Sequence, residues 1–507
     1  MRVKTAVRVW CVMFVCQSLT AFGEGALRVT TEQGVFVGQR EEGLAVFRGM
    51  PYAEPPVGNL RWQPPSAPLA HTGERQAQRF MPVCIQAVRG QQGSAVGGED
   101  CLGLNVWTPG LGDAKRPVMV WFHGGGLRSG SGLIAGEVLA RQGVVVVSLN
   151  YRLGPLGFFA HPLLPASEAN FGLQDMVAGL EWVQKNIAGF GGDPDKVTIF
   201  GVSAGGMAVN MLMVTPDAKG LFHRVIAQSG YGTWALPRSN KLPSSDVLEM
   251  DLGAPAAAEE IGASLVARIN ADLDGEDALR ALPAADLVLA LSGFQLPIVD
   301  GVTLEDEPAA LAEAGRAHDV PLIMGGNSFE GSVMPASGIT LDAYADYYRD
   351  FMPRVKAAYA QDFAVQRRLG LMRMFGDNRY LLAARVTGRA VAKGGNAAWL
   401  YYVDAPAAAK AASLPGTPHG ADSYIFWNGA GSEDAEISGL AKRMQAYWLN
   451  FARNADPNGE GLIPWPSYDT GSETWLVFGG EDRAEAGVLA DKLDLVEAHY
   501  RMRRNAR

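Results

Sequence analysis

Short apolar runs rich in β-branched and aromatic residues alternate along the chain with stretches of amphipathic character. The runs fall at 118–122, 144–149, 197–200, 225–227, 320–324 and 399–403, and each reads as a strand. Between two of them Leu173, Met176, Val177, Leu180, Val183 and Ile187 recur at helical spacing, and the glycines and proline of 189–194 close that helix before the next strand. A strand, crossover helix and strand in sequence predict a mostly parallel sheet with helices on both faces. Residues 232–318 and 333–396 are Ala- and charge-rich with irregular apolar spacing, and read as mostly helical, cap-like insertions on that sheet. No internal repeat or low-complexity linker interrupts the pattern.

Composition narrows the picture. The chain has 507 residues, 48% of them hydrophobic and 19% charged, enough to bury a large core. Acidic residues outnumber basic ones by 53 to 44 and no Lys/Arg block stands out, so a nucleic-acid partner is set aside. Arg2, Lys4 and Arg8 precede an apolar run over 9–16, followed by Ala21-Phe22-Gly23. This order predicts a signal peptide over 1–23 and export to the periplasm or beyond the cell. The run is far shorter than the ~20 residues of a membrane span, and no later stretch qualifies. Cys11 and Cys16 would leave with the leader, and Cys84 with Cys101 would form either one disulfide or two buried thiols.

Three segments carry chemistry. The run 197–200 leads into Gly201-Val202-Ser203-Ala204-Gly205-Gly206, and an apolar helical stretch follows. G-x-S-x-G between a strand and a helix is the pattern of a tight turn that exposes a nucleophilic serine, with glycines where side chains would block it. After 118–122 comes His123-Gly124-Gly125-Gly126, whose backbone N–H groups can converge on an oxyanion together with that of Ala204. A nucleotide-phosphate loop is the alternative for this glycine run, but Ser129 stands where a third glycine belongs and no Walker lysine follows.

A serine nucleophile needs a histidine base and a carboxylate to orient it. Of the histidines after Ser203, His223, His318 and His499 lie at a strand start, before a strand and in a charged C-terminal helix. His419 lies in a loop, Gly416-Thr417-Pro418-His419-Gly420-Ala421-Asp422, after a late strand, where such sheets present their chemistry. Glu330, in Asn327-Ser328-Phe329-Glu330-Gly331, also follows a strand and is the acid candidate. Length alone suggests about three domains, but residues near 203, 330 and 419 must meet, which favours one domain over 24–507. No metal-binding motif is present, and the proposed chemistry requires no cofactor.

With these residues in view the chain resembles the type-B carboxylesterase family, which includes bacterial para-nitrobenzyl esterases, liver carboxylesterases and cholinesterases. The matching blocks are Phe47-Arg48-Gly49-Met50-Pro51-Tyr52-Ala53, Glu99-Asp100-Cys101-Leu102-Gly103-Leu104-Asn105-Val106, the glycine run, Asn170-Phe171-Gly172-Leu173-Gln174-Asp175, the serine turn and Asn450-Phe451-Ala452-Arg453. The resemblance implies an α/β-hydrolase fold, Ser203 as nucleophile, Glu330 as acid and His419 as base. It also implies oxyanion donors from Gly125, Gly126 and Ala204, and a Cys84–Cys101 disulfide. Two positions depart from the family: Val202 stands where Glu is usual, and Phe329 where an acidic residue is common. The expected activity is hydrolysis of neutral small-molecule esters. Choline esters are disfavoured because the segment between Cys84 and Cys101 has no aromatic residue to face a quaternary ammonium; Trp234 is an aromatic that could substitute. The same machinery would serve an amidase or a hydrolase for one natural ester. Family relatives that have lost the nucleophile act as adhesion or binding proteins, but all three residues are present here.

Overall fold

The computed structural model describes residues 27–164, 168–240, 257–405 and 414–505. The leader read at 1–23 lies outside them.

Among the described residues a sheet of 13 strands organises the chain. Its centre is parallel, with Val145–Leu149, Arg116–Phe122, Gly192–Val202, Arg224–Gln228, Leu322–Asn327, Ala398–Val403 and Thr474–Phe478 side by side in that order. Antiparallel strands extend both ends: Gly103–Thr108, Leu44–Pro51, Gly34–Glu41 and Leu27–Thr31 on one side, Arg483–Ala486 on the other. This is the expected α/β-hydrolase sheet.

The parallel strands are apolar on both faces because both are covered. Val118, Val120 and Phe122 share one layer with Leu173, Met176 and Leu180 of the helix Phe171–Asn186. Met119 and Trp121 face the opposite layer with Met444 and Trp448 of the helix Ala435–Asn454. Each large apolar side chain buried this way contributes about 1.5–3 kcal/mol, so the strands are held firmly on both sides and their C-terminal ends form a rigid edge.

The second insertion is mostly helical as expected, but the first is not: among its described residues the helices are Ala258–Ala267, Glu276–Arg280, Ala284–Ala290 and Pro308–Glu313, and 291–307, punctuated by Gly293, Pro297 and Gly301, runs as irregular chain. The first three of these helices contribute to a third apolar cluster around Trp62, Phe159 and Phe171. The second insertion includes Arg367–Gly376 and Leu382–Lys393, joined by a π-helical turn, Asp377–Leu381. No helix among the described residues is long and apolar enough to cross a membrane.

Candidate active site

Strand register decides which residues meet. Gly201 lies opposite Phe122 on the neighbouring strand, so the chain enters the glycine run beside the turn that carries Ser203. Ser203 adopts φ 57°, ψ −119°, a left-handed conformation that L residues avoid. The helix Ala204–Leu212 starts at once behind it, and the Ser203 N–H is held by the Gln228 carbonyl at 2.8 Å. Two positions to either side of Ser203 the turn admits only glycine. A Cβ on Gly201 would sit 2.6 Å from the Phe122 carbonyl oxygen, and one on Gly205 would strike the same atom.

The Ser203 hydroxyl lies 2.8 Å from His419 Nε2, and His419 Nδ1 bonds the Glu330 carboxylate. An ionised carboxylate only accepts, so Nδ1 carries the proton and Nε2 is left as the acceptor for Ser203 Oγ–H. Glu330 is 1% exposed. Its other oxygen accepts from Ser229 Oγ at 2.6 Å, Asn327 N at 2.6 Å and Asn327 Nδ2 at 3.0 Å. Burial pushes this carboxyl up, but the charge and hydrogen bond of His419, with Ser229 and the Asn327 N–H, hold it below the usual carboxylate range.

The loops bearing Glu330 and His419 are fastened to each other. Phe329 N–H donates to Thr417 O at 2.8 Å, Thr417 N–H to Ser328 Oγ at 2.9 Å, and His419 N–H to Ser332 Oγ at 2.9 Å. Phe329 is itself buried beneath the Arg373 guanidinium, 5.1 Å from its ring centroid.

The glycine run closes the other side. Among the described residues the N–H groups of Gly125, Gly126 and Ala204 have no protein acceptor, the condition for donors that serve a ligand. His123 anchors the run: its ring stacks on Tyr151 at 4.2 Å, and its carbonyl accepts from the Tyr151 hydroxyl at 2.6 Å. Burial pushes the His123 imidazole down to about 4, so it stays neutral. Cys84 and Cys101 form the expected disulfide. Gln86, two residues beyond Cys84, braces the glycine loop by exchanging hydrogen bonds with both backbone groups of Gly130, at 2.9 and 2.8 Å.

Ser229, Asn327, Tyr401 and Asp422 were not singled out from the sequence. Asn327 Nδ2 reaches both Glu330 and Asp422, each at 3.0 Å, and Tyr401 donates to Asp422 at 2.7 Å. Burial and the nearby Glu330 charge raise the Asp422 carboxyl. A second buried carboxyl thus stands near His419 although position 202 is valine. The signal was positional: Ser229 and Asn327 stand at or just past strand ends, and Asp422 follows His419 by three. The other later histidines lie elsewhere: His318 bonds Thr215 O at 2.9 Å, His223 faces Val197 N at 3.3 Å, and His499 packs among Tyr347, Tyr348 and Phe351. Among the described residues no group of three or more His, Cys, Asp or Glu is placed to hold a metal ion.

Comparison with known proteins identifies the family. The model of the carboxylesterase family matches residues 25–496. The chain is 33% identical to the fumonisin B1 esterase of Sphingopyxis macrogoltabida over 90% of its length and 87% of that protein's. It is 32% identical to the para-nitrobenzyl esterase of Bacillus subtilis (strain 168), covering 92% of this chain and 97% of that protein. Among solved structures, the Geobacillus stearothermophilus carboxylesterase EST55 superposes with a TM-score of 0.76 at 29% identity, and a PNB esterase with 0.77 at 28%, each covering 92% of this chain and 99% of the other. A serine turn, glycine run and buried Glu–His pair on this sheet, in a chain this similar throughout, belong to the carboxylesterase family, and the protein is a carboxylic ester hydrolase.

Proposed function

We propose that the protein hydrolyses small-molecule carboxylic esters through an acyl-enzyme on Ser203, with His419 as general base and Glu330 as the acid that orients it. The carrying observation is the line from Ser203 Oγ to His419 Nε2 at 2.8 Å and on from Nδ1 to the buried Glu330. His419 takes the Ser203 proton as Oγ attacks the ester carbonyl. The N–H groups of Gly125, Gly126 and Ala204 receive the oxyanion, each donor worth roughly 10²- to 10³-fold in rate. His419 then gives the proton to the departing alcohol, and water repeats the sequence to release the acid. Esters lacking a quaternary ammonium are the expected substrates, because the loop closed by Cys84 and Cys101 offers no aromatic face. Residues 1–23 are read as an export leader, which puts the mature single domain, 24–507, in the periplasm or outside the cell.

Ser203→Ala tests the mechanism. Turnover of 4-nitrophenyl acetate should vanish, and an organophosphonate should add one covalent mass to the wild type, mapped to Ser203. Near-normal activity in the variant, or a label on another residue, would refute it.

A further inference from the structure

Arginines are seldom buried unless paired, and among the described residues the buried arginines obey that rule with one exception. Arg61, Arg152, Arg280, Arg385 and Arg503 are all buried, and each bonds a carboxylate: Glu99, Asp175, Glu276, Glu473 and Glu307. Arg379 is the most enclosed of the buried arginines, at 2% exposure. Among the described residues it has no carboxylate partner; its enclosed Nε and Nη2 make no hydrogen bond of good geometry, and the oxygens that interact with it are the hydroxyls of Tyr231 and Tyr380.

What surrounds it is aromatic. The guanidinium carbon lies 4.1 Å from the ring centroid of Tyr231 and 4.3 Å from that of Trp234, with Phe294, Tyr380 and Phe375 at 5.6, 5.9 and 6.0 Å. Rings cover the face of a guanidinium, so the in-plane N–H donors at its edge are the ones left for an acceptor. Tyr231 and Tyr380 do not supply a negative charge, because burial raises both phenols above the ordinary tyrosine value.

The cage borders the active site from two directions. The Tyr380 ring is 4.6 Å from the His419 ring. Phe294 lies against Gly126, occupying the space a Cβ there would need. Arg379 is therefore next to rings that touch the base on one side and the oxyanion loop on the other. It is carried by the π-helical turn Asp377–Leu381, a distortion often found at functional sites.

We propose that Arg379 receives a carboxylate of the substrate, so that the enzyme favours esters carrying a free carboxylate, of which monoesters of dicarboxylic acids are the simplest. This rests on the acyl-enzyme reading above and narrows it. A carboxylate-bearing substrate departs from the expectation of neutral esters, which was argued from the lack of a cation site alone. A bidentate pair at the edge of the guanidinium would give the buried cation the counter-charge it lacks in the chain itself.

The test compares kcat/KM for 4-nitrophenyl hydrogen glutarate with that for 4-nitrophenyl pentanoate, and for the butyrate esters of 4-hydroxybenzoate and 4-hydroxybenzamide. The first pair places the carboxylate on the acid half and the second on the alcohol half. In Arg379→Met the charged-to-neutral ratio should fall about tenfold or more in one pair, as expected for loss of a charged hydrogen bond. Ratios unchanged in both pairs overturn the proposal. Wild-type enzyme gives an independent arm that needs no folded variant: glutarate should inhibit pentanoate-ester hydrolysis competitively, and glutaramide should do so at least tenfold more weakly. Equal inhibition by the two overturns the proposal. Unchanged ratios with an inactive Ser203→Ala would remove the carboxylate site alone, whereas an active Ser203→Ala would remove the underlying mechanism.

Discussion

Glu330→Gln keeps the size of a buried side chain and changes only its charge and one atom's hydrogen-bonding sense. One Glu330 oxygen already accepts from Ser229 Oγ and from both nitrogens of Asn327, at 2.6, 2.6 and 3.0 Å. The glutamine oxygen will stay with those three donors, because an NH2 group there would face them donor to donor. Its NH2 then points at His419 Nδ1, which can meet it only as an acceptor. The imidazole proton is forced onto Nε2, toward Ser203 Oγ, and the ring can no longer take the serine proton. The variant also loses the negative charge that stabilises the imidazolium formed during attack. Together these effects should lower kcat by about 10³- to 10⁴-fold, or about 4–5.5 kcal/mol in barrier.

Initial rates on 4-nitrophenyl acetate, normalised to active sites by organophosphonate titration, measure this loss. Stability offers a second readout with a definite sign. The Glu330 carboxyl is held below its unfolded value of about 4.3. Its stabilising contribution is therefore present above that pH and lost as pH falls through the lower folded value. Wild type should lose this increment on acidification, and Glu330→Gln should lack it at every pH. A variant within tenfold of wild type in kcat would show that Glu330 does not set the tautomer.

Further outcomes follow from other buried groups. Burial, opposed by Lys492 and Arg373, pushes the Asp377 carboxyl up to about 6, so its contribution is present below about 3.9 and lost as pH rises through about 6. Urea unfolding should show Asp377→Asn gaining about 2–3 kcal/mol on wild type between pH 4 and 7, and a gap independent of pH would count against this. Reducing the Cys84–Cys101 bond, which spans 17 positions, should cost about 3 kcal/mol in the chain-entropy account; a melting temperature unmoved by reductant would contradict it. Butyrylcholine should have a lower kcat/KM than its uncharged isostere 3,3-dimethylbutyl butyrate, because Arg379 already lies over Trp234 at 4.3 Å and would repel a second cation. A choline ester cleaved tenfold faster would reverse that view.

What could be read in advance depended on how local the physics was. All six apolar runs proved to be strands of the parallel centre, because a strand buried on both faces needs a continuous apolar stretch. The antiparallel strands were missed for opposite reasons. Arg483–Ala486 is largely exposed and needs no apolar code. Gly103–Thr108 is wholly buried, but its run is broken by Asn105, whose side chain accepts from Gly49 N at 3.0 Å and donates to Ser148 Oγ at 3.1 Å. The serine turn was legible because its glycines answer to atoms within a few residues or on the adjoining strand.

The Asn327–Asp422 contact joins residues 95 positions apart, and no spacing rule announces it. Arg379 was hidden for a related reason. In sequence, an arginine before a tyrosine looks like a solvated position on an amphipathic helix, and only the folded chain shows that every neighbouring carboxylate is engaged elsewhere. Asp377, two residues away, accepts from Tyr359 at 3.0 Å, while Glu330 and Asp422 are committed to the His419 network. The Arg379 charge is thus recognisable only as a missing partner, and a missing partner is a property of the whole fold. On the proposed carboxylate reading, substrate preference is set by Arg379 of the second insertion together with Trp234 and Phe294 of the first, rather than by the motifs that identify the chemistry. Exchanging residues of the Asp377–Leu381 turn should alter which esters are cleaved while Ser203, His419 and Glu330 remain in their line.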